Sequence, residues 1–180
     1  MNASYATVVA PRTVRIERLL PGPIERVWAY LTESDLRGRW LASGDTQLHA
    51  GGEVEHVFRN SELTRNDQPP PAKYAQHANE SRLHGRILSC DPPHLLAYTW
   101  GEKAGASEVR FELSNEGGSV RLVLTHSQLP DRDQMLSVAG GWHTHLGILA
   151  DRLEGREPPG FWATLVELEP EYERRIPAEA

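Results

Sequence analysis

The sequence predicts an α+β fold in which a curved antiparallel sheet packs against one long helix near the C-terminal end. About six short segments alternate apolar and polar residues, as strands with one buried face do. Short turns separate most of these segments, which favours a meander of neighbouring strands over a parallel sheet. An apolar stripe about five turns long, over residues 131–155, predicts the helix that covers the sheet.

The first predicted strand covers residues 13–20, and two short helices follow it. Arg18 lies on the inward, otherwise apolar face of this strand. Pro21 and Pro23 end the strand, and Pro23 suits the first turn of a helix. The helical spacing that follows is carried by Ile24, Val27, Trp28 and Leu31.

Five further strands are predicted over residues 51–58, 81–90, 94–100, 108–113 and 119–127. Residues 115–118, Asn-Glu-Gly-Gly, form the hairpin turn between the last two. Alternation places several polar or aromatic side chains on inward faces, where apolar residues are the rule. These inward residues are His56, Tyr98, Trp100 and His126.

Residues 59–80 interrupt the strand pattern with a polar stretch that contains three consecutive prolines. A segment of about 20 residues without a clear period is uncommon inside a compact domain, and such segments are usually lids or disordered. The stretch is predicted to be mobile, and both readings, a lid and a disordered loop, stay open from the sequence.

The long helix contains the sequence Gly140-Gly141-Trp142-His143-Thr144-His145. At about 100° per residue, His145 lies on the shoulder of the apolar stripe, and His143 diverges from it by about 160°. Two histidines that diverge this far cannot bind one metal ion from a single helix, so no metal site is predicted. The stripe itself comprises Met135, Val138, Trp142, Leu146, Leu149 and Leu153.

A tail follows Gly155, which is a plausible end for the long helix. Phe161, Leu165, Leu168 and Tyr172 recur at amphipathic helical spacing. The tail helix over residues 156–180 is expected to pack on the body of the chain or to form a homodimer contact.

Two stretches resemble the SRPBCC superfamily, the relatives of START domains and birch-pollen allergens. Residues 21–41, PGPIERVWAYLTESDLRGRWL, resemble the A-P-x-x-x-V-W-x-x-L-T opening of this superfamily. Residues 140–155, GGWHTHLGILADRLEG, are similar to the closing G-W-x-x-x-L-x-x-L helix of one branch. That branch is named after the C-terminal domain of the activator of the heat-shock-protein-90 ATPase. The resemblance covers residues 13–155, which are taken as the domain, with residues 1–12 as an N-terminal extension.

The resemblance implies the helix-grip fold, in which a curved sheet wraps around the long C-terminal helix. Relatives hold lipids, sterols or polyketides in a cavity between helix and sheet. The sequence departs from the branch in its longer 59–80 segment and in its tail. It also has no counterpart of the N-terminal domain of the eukaryotic activator, so the resemblance does not extend to direct stimulation of the chaperone.

Composition excludes several classes of function. Hydrophobic residues make up 39% and charged residues 24% of the 180-residue chain, as in soluble globular proteins. The net charge of −6 argues against nucleic-acid binding, which needs a basic face. No run approaches the roughly 20 apolar residues that span a bilayer, and no signal peptide is apparent. Cys90 is the only cysteine, so a cytoplasmic location without internal disulfides is expected.

The inward-facing residues predict one pocket for a small, largely apolar, ring-containing or lipid-like molecule. Small-molecule pockets are mostly apolar and carry a few polar anchors. No cofactor is expected, because the chain has no glycine-rich phosphate loop and no nucleophile elbow. Two alternatives stay open: a cyclase or aromatase that uses a cavity histidine, and a chaperone-accessory or protein-interaction module. The candidate pocket residues are Arg18, His56, Tyr98, Trp100, His126, Trp142 and His145.

Overall fold

A computed structural model describes residues 4–178 of the chain as seven strands and four α-helices. The strands are β1 (Thr7–Ala10), β2 (Thr13–Pro21), β3 (Glu53–Phe58), β4 (Ser81–Asp91), β5 (Leu95–Thr99), β6 (Glu108–Glu116) and β7 (Ser119–Ser127). The helices are α1 (Ile24–Thr32), α2 (Ser34–Arg37), α3 (Arg132–Leu153) and α4 (Phe161–Arg175).

All seven strands form one antiparallel sheet in the order β1-β2-β7-β6-β5-β4-β3. A register shift between Ile87 and Ser89 interrupts the β4–β5 ladder, as a bulge that bends a sheet does. The sheet curves around α3, so the predicted α+β helix-grip fold is confirmed. One detail of the prediction is wrong: the strand at residues 13–20 is the second strand, because Thr7–Ala10 pairs with it. The two short helices therefore follow β2.

Helix α3 lies on the inner face of the sheet through its apolar stripe. Asp131 caps the helix, accepting a hydrogen bond from the Gln134 backbone nitrogen at 2.8 Å. Val138 is the one stripe residue that stays half-buried. The other five are at most 5% exposed: Met135, Trp142, Leu146, Leu149 and Leu153. The predicted phase of the helix is therefore confirmed.

Glycines inside a helix predict a close approach to the sheet or a bend of the helix, and at these positions the structure shows no close approach to the sheet. A Cβ on Gly140 would lie 3.2 Å from Cδ1 of Leu165, so its close neighbour is α4. A Cβ on Gly141 or Gly147 would meet no atom within 4 Å. These two positions border open space inside the molecule.

Helix α4 packs along α3 within the same chain. Three of the four residues predicted to form its apolar face are buried, namely Phe161, Leu165 and Tyr172. Trp162 is buried as well, and Leu168 is partly buried. The tail therefore packs on the body of the chain, and the homodimer contact stays a prediction.

Residues 59–80 contain two 3-10 helices, Asn60–Glu62 and Ala72–His77, and lie against the start of α4. The first backbone nitrogens of a helix have no partner inside the helix, and α4 begins after a glycine that has no side chain to cap them. Asp67, which is distant from α4 in sequence, caps these nitrogens instead. Its carboxylate accepts hydrogen bonds from the Trp162 nitrogen at 2.9 Å and the Ala163 nitrogen at 3.3 Å.

The close fit of this cap depends on Gly160. A Cβ at that position would lie 2.4 Å from Oδ1 of Asp67. Thr64 adds a second contact, since its Oγ1 accepts a hydrogen bond from the Phe161 nitrogen at 2.9 Å. Tyr74 stacks on Trp162 with ring centroids 5.8 Å apart. The segment and the start of α4 thus contact each other through hydrogen bonds and a ring stack. The mobility predicted for residues 59–80 stays a prediction.

Replacing Leu149 with alanine is expected to lower the free energy of unfolding by about 2–5 kcal/mol, because the side chain is fully buried between α3 and the sheet. Urea denaturation measures the change. Leu88→Ala is the control, since Leu88 is 40% exposed on β4 and should lose less than about 0.5 kcal/mol. Similar losses for the two variants would contradict the placement of the stripe.

Replacing Asp67 with alanine is expected to lower stability by about 0.5–2 kcal/mol, the usual effect of removing a helix cap. The amide protons of Trp162 and Ala163 should also exchange faster, because they lose their acceptor. Glu62→Ala removes the same charge from an exposed position of the same segment and should change neither quantity. Unchanged exchange at these two amides in Asp67→Ala would refute the capping contact.

Candidate functional site

The two flanks of α3 each border a cavity. The larger has a volume of about 430 Å³ and lies between α3, the strands β3 to β5, the 59–80 segment and the start of α4. Polar side chains at its rim include His77, Arg82 and Gln134, all of them exposed. Six aromatic side chains form part of its walls: Phe58, Tyr74, Trp100, Trp142, Phe161 and Trp162.

His145 reaches this cavity from the shoulder of the α3 stripe. Its Nδ1 lies 2.8 Å from the carbonyl oxygen of Trp40. A carbonyl oxygen only accepts, so Nδ1 carries the proton and donates it, and Nε2 keeps its lone pair. Burial lowers the pKa of His145 to about 4, and the bond to Trp40 offsets only part of that effect. The side chain is therefore neutral near pH 7 and offers an acceptor at Nε2.

His126 holds Trp142 in place. The indole Nε1 of Trp142 donates a hydrogen bond to Nδ1 of His126 at 3.0 Å. The other ring nitrogen of His126 must then carry the proton, and it donates to Oγ of Ser107 at 2.8 Å. Burial lowers the pKa of His126 to about 3, which keeps this tautomer neutral. His126 itself does not line the cavity.

His56 and Tyr98 form an aromatic layer behind the cavity wall. The His56 ring lies 5.1 Å from the Tyr98 ring and 5.4 Å from the Trp100 ring, centroid to centroid. Burial, and then the charges of Arg37 and His145, lower the pKa of His56 well below its ordinary value. Burial also raises the pKa of Tyr98. Both residues are buried beneath Trp100 and do not line the cavity.

Arg18 does not belong to the predicted pocket. It borders the second cavity, about 190 Å³ in volume, on the opposite flank of α3. The alternation of β2 correctly places Arg18 on the inner face of the sheet, where it is 1% exposed. β2 lies near the other edge of the sheet, with α3 between it and the larger cavity. Strand alternation does not determine on which side of the helix an inward residue falls.

His143 points away from the larger cavity, as its helical phase predicts. Its position off the apolar stripe also predicts a solvated residue at the edge of the helix, and that prediction is wrong. Its Nδ1 lies 2.8 Å from the hydroxyl oxygen of Tyr172, which also accepts a hydrogen bond from the Ala6 nitrogen. The ring of Tyr5 packs edge-on at 4.9 Å. Burial is the first cause that lowers the pKa of His143 to about 4.

The structure thus brings three of the seven predicted pocket residues to the larger cavity, namely Trp100, Trp142 and His145. Four of the six aromatic wall residues were not predicted. Tyr74 was assigned to a mobile segment, Phe161 and Trp162 belonged to a separate tail, and Phe58 was not among the candidates. The adjacent aromatic residues Phe161 and Trp162, directly after Pro-Pro-Gly, were the signal available in the sequence. Among residues 4–178, no three His, Cys, Asp or Glu side chains are grouped as a metal ion would require. No described helix is long and apolar enough to cross a membrane.

Several solved structures share this architecture. The solution structure of a protein from Bordetella parapertussis is 48% identical, covers 97% of this chain and 93% of its own, and has a TM-score of 0.79. The crystal structure of CalU16 from Micromonospora echinospora is 22% identical, covers 91% and 88%, and has a TM-score of 0.67. The Aha1 dimer from Colwellia psychrerythraea is 15% identical, covers 79% and 94%, and has a TM-score of 0.60. No curated protein matches the chain.

A family match agrees with the architecture of the sheet and α3. Residues 21–154, from the end of β2 to the end of α3, match the family described as Activator of Hsp90 ATPase homolog 1-like protein. The matched segment excludes α4, which contributes one wall of the larger cavity. The chain belongs to the family of Activator of Hsp90 ATPase homolog 1-like proteins, within the SRPBCC superfamily.

Proposed function

We propose that the chain binds a small, largely apolar, ring-containing molecule in the larger cavity. The observation that carries this proposal is a 430 Å³ space walled by six aromatic side chains, beside a single buried, neutral histidine acceptor. Apolar walls with few polar groups are typical of small-molecule sites, and aromatic walls favour a flat ring through offset stacking or edge-to-face contacts.

Trp142 supplies the wall most suited to a flat ligand. Its indole is 3% exposed, and its ring lies 5.2 Å from that of Trp100 and 5.8 Å from that of Phe111. The hydrogen bond to His126 satisfies the indole nitrogen, so Trp142 presents only apolar surface to the cavity. A ligand that stacks here loses no hydrogen bond of the protein.

His145 supplies the polar anchor. Its Nε2 accepts a hydrogen bond, which a hydroxyl or N–H group on the ligand can donate. A carbonyl group has no proton to donate, so this tautomer of His145 cannot pair with one. The proposal therefore specifies a phenol-like or alcohol-bearing ring rather than a ketone.

A cyclase or aromatase is less well supported. Such an enzyme needs a group in the cavity that exchanges protons near neutral pH. The pKa of His145 is about 4, and His126 and His56 are committed to the layer behind the wall. Neutral histidines with such low pKa values are poor general acids at pH 7.

A protein-interaction function is also less well supported. A docking surface is usually a contiguous apolar patch. The large apolar residues that are exposed in the described part of the chain are spread over β1, β2, the loop before β3, β4 and α4. The apolar surface is instead gathered inside the molecule, around the larger cavity.

Native mass spectrometry of freshly purified protein provides the first test. A retained small molecule, absent after denaturation, would support the proposal and give its mass. Binding of an added probe provides the second test. We expect 2-naphthol, which carries an aromatic ring pair and one hydroxyl, to quench tryptophan fluorescence saturably, because Trp100, Trp142 and Trp162 line the cavity.

Replacing Gly141 with leucine is expected to weaken 2-naphthol binding at least about tenfold, or about 1.4 kcal/mol. The new side chain would extend into the larger cavity, where a Cβ meets no atom within 4 Å. Gly147→Leu is the matched control, because it makes the same change on the same helix but extends into the smaller cavity. Equal effects of the two variants, or no effect of Gly141→Leu, would contradict the proposal.

Replacing His145 with phenylalanine is expected to weaken 2-naphthol binding by about 1–3 kcal/mol, because the ligand hydroxyl loses its acceptor. Binding of 2-methylnaphthalene, which has no hydroxyl, should change little. Fluorescence titration of both ligands against both proteins isolates the hydrogen bond. An equal loss for the two ligands would show that His145 acts only through packing.

The affinity of the unmodified protein for 2-naphthol is expected to stay constant from pH 8 to about 5 and to fall as the pH approaches 4, because a protonated Nε2 cannot accept. The free energy of unfolding is expected to fall in the same direction, as the pH is lowered. The folded pKa lies below the ordinary value of 6.5, so the unfolded chain binds the proton first, and stability is lost between about pH 6.5 and 4. Circular dichroism at each pH separates the two effects. A transition in affinity near pH 6.5 would contradict the assignment.

A further inference from the structure

The smaller cavity contains an unpaired cation. It lies on the flank of α3 that faces β2, and Arg18 is one of the residues that border it. Gly147, Ile148 and Pro159 make the rest of the wall largely apolar. Thr144 and Thr164 also line it, but their hydroxyl protons are donated to the carbonyls of residues 140 and 160.

Only one edge of the Arg18 guanidinium is satisfied. Nη1 donates to the carbonyl oxygens of Ser4 at 2.9 Å and Glu17 at 2.6 Å. Nε and Nη2 are fully buried and have no hydrogen-bond partner among the described residues. Leaving two donors of a buried charged group unpaired is costly, and native structures rarely do so.

Arg37 provides a comparison within the same chain. It is 2% exposed and makes five hydrogen bonds, to backbone oxygens of residues 42, 43, 44 and 55 and to the hydroxyl of Thr46. All three of its nitrogens have partners. Arg37 is therefore fully paired, whereas Arg18 is not.

No acid of the described residues neutralises Arg18. Asp151 borders the cavity, but its Oδ1 accepts from Nη2 of Arg156 at 3.0 Å and from Nε of Arg156 at 3.2 Å. Glu17 forms salt bridges with Arg15 and Arg121. On the other side of Arg18, the pKa of His143 is lowered first by burial and then by the charges of Arg18 and Arg175. Among the described residues, Arg18 therefore has no carboxylate of its own as an ion-pair partner.

We propose that the smaller cavity binds the carboxylate group of a small aliphatic molecule, with its two oxygens on Nε and Nη2 of Arg18. These two nitrogens lie on the same edge of the planar guanidinium, and their N–H groups match the two oxygens of a carboxylate. The apolar wall of Gly147, Ile148 and Pro159 takes the hydrocarbon part. A bare inorganic anion has no hydrocarbon part that could contact that wall.

This site is independent of the larger cavity. Helix α3 separates the two, and no residue lines both. A failure of the 2-naphthol test would therefore leave the proposal of carboxylate binding at Arg18 unaffected.

The test uses sodium butyrate as the ligand and butyramide as its neutral counterpart. Titration of ¹⁵N-labelled protein follows the Arg18 side-chain Nε–H and the Gly147 amide by NMR. Butyrate is expected to shift both signals saturably, and butyramide at equal concentration is not. Sodium sulfate at matched ionic strength forms the third arm. Shifts as large with sulfate as with butyrate would overturn the carboxylate assignment.

Two variants locate the site. Arg18→Gln is expected to weaken butyrate binding at least about tenfold, because it removes the charge and the paired donors. Arg15→Gln is its control, since Arg15 lies on the same strand, pairs with Glu17 and is not part of the cavity. The affinity of Arg15→Gln for butyrate should stay within about twofold of the original.

The second variant leaves Arg18 in place in case its replacement prevents folding. Gly147→Leu fills the cavity from α3 and is expected to abolish the butyrate shifts, while Gly141→Leu retains them. The expected pattern is therefore the reverse of the one for 2-naphthol. Absence of saturable butyrate binding up to about 50 mM, weaker than any useful affinity, would overturn the proposal. Unchanged butyrate binding in Gly147→Leu would do the same.

Discussion

The packing of α3 on the inner face of the sheet determines where this molecule has room for a ligand. Trp142, Leu146 and Leu149 fill the centre of the contact and are nearly or fully buried. The flanks of the helix carry glycines at positions 141 and 147, where a Cβ would meet nothing within 4 Å. Glycine inside a helix costs about 1 kcal/mol relative to alanine, and no packing contact at these two positions requires it. Gly141 borders the larger cavity and Gly147 the smaller one.

The outer wall of the larger cavity depends on a contact between distant parts of the chain. Helix α4 starts without a capping side chain of its own, and Asp67 supplies the missing acceptor. The aromatic side chains that follow, Phe161 and Trp162, are thereby held over the cavity. Asp67 and α4 both lie outside the sheet and the helix α3 that define the superfamily fold. The sheet and α3, which the family shares, form one side of the larger cavity, and the 59–80 segment and α4 form the other side.

Burial gives the polar groups inside the molecule different roles. His126 and His145 are both neutral because the interior disfavours their charged forms. The hydrogen bond of each then sets its tautomer: His126 accepts from Trp142 and orients it, whereas His145 donates to a backbone carbonyl and keeps its acceptor at Nε2. Arg37 and Arg18 differ in the same way, since one has a partner for every nitrogen and the other does not. His145 and Arg18 each border one of the two cavities.

The sequence by itself determined the sheet, the long helix and the face that each buries, because periods of two and of 3.6 residues are local properties of a chain. It also identified Trp100, Trp142 and His145 as inward residues. Only the tertiary structure decided which inward residues share a cavity, because that depends on where α3 crosses the sheet. Arg18 fell on one flank and His145 on the other. For the same reason, the sequence could not predict that Tyr74 and Trp162 lie over the larger cavity. The hydrogen bond from the residue 162 nitrogen to Asp67 joins segments that share no local sequence pattern.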